Sequence, residues 1–309
     1  MIVVDNLVKR YRGGDRNAVD GISFSVEAGE FFALLGPNGA GKTTTISILT
    51  TTLKPTSGRV TIAGHDIERE SSAVRSSVGI VFQAPSLDLN LTAEENVRFH
   101  ATLYGLYPFR PVFRMMPSQY RAQVAELAGI LGIGGDMYRP VKGFSGGMKR
   151  KLEILRSLVH RPTVLFLDEP TSGLDPDSRR NLWEYLKRVR RESGTTVFVT
   201  THYIEEAEGA DRICIVDDGR IVSIGSPTDV KAHLVQEYVV VDAADRDALL
   251  AELGQKGLRG EVAERVLVRL DGLTSQQVIQ RITTPLTYLQ IHAPSLEDAY
   301  LSVVAKTPE

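Results

Sequence analysis

Cysteine is nearly absent. The chain has one, Cys214, set in an apolar run, and a lone thiol cannot build a disulfide framework, a zinc site or an iron–sulfur cluster within one chain. A buried thiol in a strand is the expectation. An excess of one charge is missing too. Lys and Arg number 36 against 38 Asp and Glu, a formal net charge of -2, without the basic surplus of a typical nucleic-acid binder. No stretch approaches the roughly 20 apolar residues needed to cross a bilayer. Met1-Ile2-Val3-Val4-Asp5 carries no basic region followed by an apolar block, so no signal peptide is visible. These absences predict a cytoplasmic chain that serves a membrane only through a partner. Internal repeats, heptads and low-complexity tracts are also missing.

What remains is ordinary globular composition, 42% hydrophobic and 24% charged over 309 residues, enough for one large domain and a smaller one. Apolar runs at 2–4, 22–26, 31–35, 59–63, 78–82, 164–167, 196–200 and 212–216 read as strands. Helical patterns lie between them, at 42–53 and across 92–134. This alternation predicts an α/β fold with a parallel sheet covered on both faces. A boundary is expected near Gly225-Ser226-Pro227. It divides a domain at 1–226, with a helical subdomain at about 84–160, from a small C-terminal α/β domain at 227–309. Regulation or dimer support is the role expected of the small domain.

Two motifs carry nucleotide chemistry. Gly36-Pro37-Asn38-Gly39-Ala40-Gly41-Lys42-Thr43 follows a buried strand and opens a helix, the setting in which a glycine-rich loop wraps phosphates with its N–H groups. Lys42 is placed to reach the β- and γ-phosphates, Thr43 to bind magnesium, and Thr44 to meet the α-phosphate. Val164-Leu165-Phe166-Leu167-Asp168-Glu169 ends an apolar strand in two carboxylates. Asp168 is expected to hold magnesium and Glu169 to polarise the attacking water. Pro170 biases Glu169 away from helical geometry. These motifs alone say only P-loop NTPase, a site for a nucleoside triphosphate with Mg2+.

A third element narrows the class. Phe144-Ser145-Gly146-Gly147-Met148-Lys149-Arg150 stands about twenty residues before the acidic strand, followed by Thr171-Ser172-Gly173-Leu174-Asp175 and Thr201-His202. This ordered set resembles the ATP-binding-cassette (ABC) ATPase family over about residues 1–227. The resemblance implies a homodimer, or a pair with a second ABC ATPase, that sandwiches two ATP molecules and works on a separate transmembrane permease. In it Ser145 and Gly147, with Gly146 between them, contact the γ-phosphate held by the other subunit. It further implies that Gln83 senses magnesium, water and the permease, and that His202 is the switch histidine. Asp175 lies in the loop linking the two sites, and Tyr11 stacks on adenine with Val19 beside it. Phe144 and Met148 depart from the usual leucine and glutamine.

The segment Pro85-Ser86-Leu87-Asp88-Leu89-Asn90-Leu91-Thr92-Ala93-Glu94-Glu95-Asn96-Val97, then Leu103-Tyr104-Gly105-Leu106 and Pro294-Ser295-Leu296-Glu297-Asp298-Ala299-Tyr300-Leu301, look like the drug- and antibiotic-exporter branch, similar to daunorubicin-resistance ATPases. That implies a peripheral protein on the cytoplasmic face of the cell membrane. The alternatives are a non-transport ABC ATPase, which usually carries two cassettes or a coiled-coil insertion, and an importer, sodium or polysaccharide branch. Residues 107–117 hold three aromatics, two methionines and two arginines among three prolines. Such an apolar, proline-broken loop suggests a permease contact; the plain alternative is that it caps the local core.

Overall fold

The computed structural model describes residues 1–83, 86–172, 174–234, 237–292 and 295–304. Pro85, Gly173 and Pro294 of the motifs above lie outside the described residues. The chain divides into two compact units, Met1–Ile224 and Gly225–Glu309.

The first unit begins with an antiparallel hairpin, β1 (Ile2–Arg10) and β2 (Asn17–Val26), then β3 (Phe31–Leu35) and α1 (Lys42–Leu49). Next come β4 (Ser57–Ile62), β5 (His65–Asp66), α2 (Ser71–Ser77) and β6 (Val78–Val81). A helical stretch follows: α3 (Ala93–Leu103), α4 (Ser118–Ile130) and α5 (Gly146–Leu158). The unit closes with β7 (Val164–Asp168), α6 (Pro176–Ser193), β8 (Thr196–Thr201), α7 (Ile204–Ala207), β9 (Arg212–Asp217) and β10 (Arg220–Gly225).

The expected parallel sheet is present as a six-stranded sheet, β10-β9-β3-β8-β7-β6. The β6–β7, β7–β8, β8–β3 and β3–β9 pairs are all parallel. Strands β3 and β7 are buried at every position, as near-continuous apolar runs in a two-sided sheet should be. The sequence did not announce a second sheet. It has four strands in the order β2-β1-β4-β5 with antiparallel pairing. The two sheets meet through aromatic rings. Phe24 of β2 stacks on Phe32 of β3 at 5.4 Å, and Phe198 of β8 lies 5.3 Å from Phe32 and 5.4 Å from Phe166 of β7. Truncating such a core phenylalanine to alanine costs about 3–5 kcal/mol. This cluster fixes the level of the strand ends, and the loops that leave those ends carry the site.

The stretch at 92–134 is not one helix. A capping box at Thr92 and Glu95 starts α3. A tyrosine C-cap ends it, and one 3-10 turn (Phe113–Met115) precedes α4, which begins after Pro117. Pro108, Pro111 and Pro117 explain the break, since none can donate a helical hydrogen bond.

The second unit contains α8 (Pro227–Leu234), β11 (Tyr238–Ala243), α9 (Arg246–Gln255), β12 (Gly260–Val262), β13 (Val266–Arg269), α10 (Ser275–Arg281), β14 (Leu286–His292) and α11 (Leu296–Val304). From β11 to β14 the order is β-α-β-β-α-β, and the sheet runs β12-β13-β11-β14 with antiparallel neighbours. This is the split βαβ topology of ferredoxin-like domains. Val239, Val241, Val266 and Val268 from the sheet pack with Leu249, Leu253 and Val278 from the helices.

Candidate functional site

The phosphate loop leaves the end of β3 and enters α1. Two of its glycines are required by space. A Cβ on Gly36 would sit 2.3 Å from the Val216 carbonyl oxygen, and one on Gly41 would sit 2.4 Å from the Ala18 carbonyl oxygen at a φ of 99°. Lys42 is buried, and its Nζ donates to the carbonyls of Gly36 at 2.7 Å and Pro37 at 2.9 Å. Burial lowers its pKa, while the nearby carboxylates of Glu169 and Asp168 pull it back up. An ammonium held only by neutral carbonyls gains when a charged phosphate oxygen arrives. Pro37, Asn38, Gly39 and Ala40 form the turn, closed by Ala40 N–H donating to the Pro37 carbonyl.

Tyr11 reaches this loop. Its hydroxyl is 3.2 Å from Thr44 Oγ1, half of the residue is exposed, and Lys9 Nζ lies over the ring 5.5 Å from its centroid. Val19 is 1% exposed and belongs to the core beneath the loop, with its Cγ2 next to Gly41.

The acidic strand faces the loop from the neighbouring part of the sheet. Asp168 is buried at the end of β7 and accepts a hydrogen bond from the Thr200 hydroxyl. Burial raises its pKa, and the Thr200 bond opposes that. Glu169 adopts a left-handed φ of 45°, a strained setting for a residue with a Cβ. Its N–H is shared between the Thr200 carbonyl at 3.1 Å and the Thr200 hydroxyl at 3.2 Å. Gln83 Nε2 donates to Glu169 Oε2 at 3.0 Å, and His202 Nδ1 lies 3.2 Å from Glu169 Oε1. The His202 contact is within ion-pair range but is not aligned as a hydrogen bond, so this nitrogen has no hydrogen-bond partner among the described residues. Gln83, Glu169 and His202, far apart in sequence, thus share one carboxylate.

Thr43 is exposed at the start of α1, and the amide nitrogen of Gln83 is used by Glu169 while its oxygen is not. Together with Asp168 these offer hydroxyl, carboxylate and amide oxygens. That donor set suits magnesium, which takes few protein oxygens and completes its shell with phosphate and water.

The signature residues sit at the start of α5. Ser145 is the N-cap, and its hydroxyl accepts from Met148 N–H at 3.2 Å. Ser145 and Gly146 are exposed and Gly147 half-buried, next to Leu174 and Ser178. Phe144, just before them, is buried. Asp175 is the exposed N-cap of α6 and accepts from Ser178 N–H at 2.9 Å.

Sequence reasoning missed two buried groups. Arg150 donates to the backbone around the acidic strand. Glu206 accepts from the Thr171 hydroxyl and, at 2.6 Å, from the Thr201 hydroxyl. It thereby joins the segment after Glu169 to the segment that carries His202. A charge within a motif otherwise read for its glycines was the only sequence signal for Arg150.

A strand, a glycine loop holding a buried lysine, and a second strand of the same sheet, one strand removed from the first and ending in paired carboxylates, define a P-loop nucleotide site. The ABC transporter family model matches residues 19–172. The chain is 38% identical to the daunorubicin resistance ATP-binding protein DrrA3 of Streptomyces coeruleorubidus, over 93% of this chain and 83% of that protein. It is 33% identical to the linearmycin resistance ATP-binding protein LnrL of Bacillus subtilis, over 99% of each. It is 36% identical to the Nod factor export ATP-binding protein I of Burkholderia orbicola, over 97% of this chain and 96% of that protein. Among solved structures, the ATP-binding cassette MJ0796 in a dimeric post-hydrolysis state with ADP and Pi superposes with a TM-score of 0.64 at 29% identity, covering 73% of this chain and 98% of that one. The protein cbiO1 of Clostridium perfringens gives 0.65 at 32% identity, covering 75% and 90%. The chain belongs to the ATP-binding subunits of ABC transporters, and it is an ATPase.

Proposed function

We propose that this chain binds ATP with magnesium in a dimeric sandwich and hydrolyses it to drive export through a separate membrane permease. The observation that carries the chemistry is the gathering of Gln83 and His202 on the Glu169 carboxylate, beside buried Asp168 and Lys42. Lys42 exchanges its two loop carbonyls for phosphate oxygens. Thr43, Asp168 and the Gln83 amide oxygen hold magnesium, which supplies charge neutralisation at the phosphates when bound. Glu169 orients and polarises the water, with Gln83 donating to one of its oxygens and His202 beside the other. Tyr11 stacks on the base. Ser145, Gly146 and Gly147 complete the nucleotide site of the partner subunit, where the exposed N-terminus of α5 suits an anion. Asp175 lies in the connection between the two sites.

Export is the reading favoured by the relatives, whose names speak of drug resistance and of Nod factor export. Among the described residues no helix is long and apolar enough to cross a membrane. This agrees with a peripheral subunit on the cytoplasmic face, held there by the permease. The surface of α3 and the 107–117 segment, where Leu103, Phe109, Val112 and Met115 are exposed, is the permease-docking face in this reading.

Glu169→Gln tests the chemistry. Turnover should fall by at least about a hundredfold, ATP affinity should stay within a few-fold, and size measurement should show a dimer with ATP that the wild type resolves. Near wild-type turnover in this variant would remove Glu169 from its role.

A further inference from the structure

On the helix that begins with the signature, Arg150, Glu153 and Arg156 are spaced three apart, so they share one side of α5. All three turn toward the segments that carry Gln83 and Glu169. The Arg150 guanidinium donates from Nε to the Pro170 carbonyl at 2.9 Å. Its Nη2 donates to the carbonyls of Asp168 at 2.8 Å and Glu169 at 3.2 Å. Nη1 donates to the Phe82 carbonyl and to Glu153 Oε2, the latter at 3.2 Å. Glu153 Oε1 accepts from Ser86 N–H at 2.8 Å, and Arg156 donates to the Ser86 carbonyl at 2.8 Å and to the Ser86 hydroxyl. Arg150 and Glu153 are 7% and 2% exposed. One side of α5 therefore grips the segment carrying Gln83 on both sides of that residue, and a single buried cation holds three successive carbonyls at the end of β7.

Those carbonyls belong to the strained part of the chain. Glu169 keeps its left-handed φ immediately before a proline, and such a conformation persists only when its surroundings over-determine it. A guanidinium suits this task because its planar fork donates in several fixed directions at once, whereas an ammonium is a point donor.

We infer that Arg150 is a positioning residue for ATP hydrolysis, holding the Glu169 backbone and the Gln83 segment in register so that the Glu169 carboxylate meets the water. This rests on the proposed role of Glu169. It makes the signature helix a rigid connection between the anion site at its N-terminus, which serves the partner's nucleotide, and the catalytic glutamate of its own chain. The Arg150 donors are engaged by backbone carbonyls and Glu153 of its own chain, so its loss should appear in kcat and not in binding.

The test compares wild type, Arg150→Lys, Arg150→Gln and Glu169→Gln as full chains. It measures ATP turnover, KM, affinity for a fluorescent ATP analogue, and melting temperature. Rates are expressed per nucleotide-binding subunit, so loss of folded protein does not count. Arg150→Gln should lower kcat roughly 10- to 100-fold, the range of a small misplacement of a catalytic group. KM and analogue affinity should change by less than about threefold. Arg150→Lys, which restores the charge but not the fork, should recover part of the loss. Wild-type kcat in both Arg150 variants would overturn the inference. So would an equal loss of kcat and affinity, because that is the mark of a general brace. If Arg150→Gln does not fold, Arg150→Lys decides alone, with reduced kcat at retained affinity supporting the inference and unchanged kcat overturning it. Unimpaired turnover in Glu169→Gln would instead overturn the reading of the site itself.

Discussion

At the scale of single residues, the site sets function against stability. Asp168 is a buried carboxylate whose pKa is raised above 3.8 by burial. The folded chain therefore binds this proton more tightly than the unfolded chain does. Stability falls as pH rises from the unfolded value near 3.8 through the raised folded value, and it stays reduced above that window. Asp168→Asn removes the buried charge. Lys42 loses a favourable neighbour at the same time, which limits the gain to about 1–2 kcal/mol. The variant should melt a few degrees higher at pH 7.5, at roughly 2–4 °C per kcal/mol for a domain of this size. The advantage should shrink toward pH 4, and magnesium-dependent turnover should be lost. Thermal melts across pH measure this. A variant that melts lower at pH 7.5, or whose advantage grows toward acid, would contradict the account of Asp168.

At the scale of elements, the 107–117 segment separates two roles that the sequence left combined. Phe113 is half-buried, with ring centroids 6.0 Å from Tyr120 and 6.2 Å from Tyr138, and Met116 is 2% exposed. These side chains cap the local core. Phe109 is 53% exposed and stacks on Phe99 at 5.8 Å. Arg98, paired with Glu94 at 2.8 Å in a buried position, fixes the segment by donating to the Arg110 carbonyl at 2.6 Å. Phe113→Ala should therefore cost about 1–2 kcal/mol of stability, less than a fully buried phenylalanine. Phe109→Ala should leave melting within about 0.5 kcal/mol of wild type, yet reduce recovery of the permease from membranes severalfold. Full permease recovery with Phe109→Ala would exclude this face as the docking surface.

The same elements show what the sequence made legible. The buried runs of β3 and β7 announced themselves because a strand covered on both faces is apolar at every position. The glycine loop and the paired carboxylates were readable because phosphate chemistry demands particular residue types at fixed spacing. The antiparallel sheet was not readable as such. Strand β1 is exposed at alternate and irregular positions, and its pairing with β2 carries register shifts. Helix α8 has eight residues and begins inside what read only as a domain boundary. Val19 was named from the family resemblance, and its burial in the core carried no local signal. The Arg150 contacts join residues separated by up to 68 positions, a distance that no local pattern encodes.

At the scale of the whole molecule, the signature cannot complete the chemistry from within one subunit's loop in the proposed reading. Ser145 and Gly146 lie exposed at a helix N-terminus, while Lys42 is buried in the phosphate loop. A two-fold dimer that apposes each signature with the other subunit's phosphate loop yields two identical sites, each made from both chains. This geometry has a consequence that separate active sites would not share. Ser145→Arg adds bulk and charge to the signature and should inactivate both sites of its own homodimer. Lys42→Ala removes the phosphate-binding cation and should do the same. When the two variants are mixed, each heterodimer carries one site with both lesions and one site with neither. Random pairing makes about half of the dimers mixed, with half of their sites intact, so activity should recover to roughly a quarter of wild type if the sites act independently. Differently tagged subunits, purified as heterodimers and assayed for ATP turnover, measure this directly and should then show roughly half of wild-type activity. Heterodimers that form and remain as inactive as either parent would show that hydrolysis is not shared across the dimer in this way.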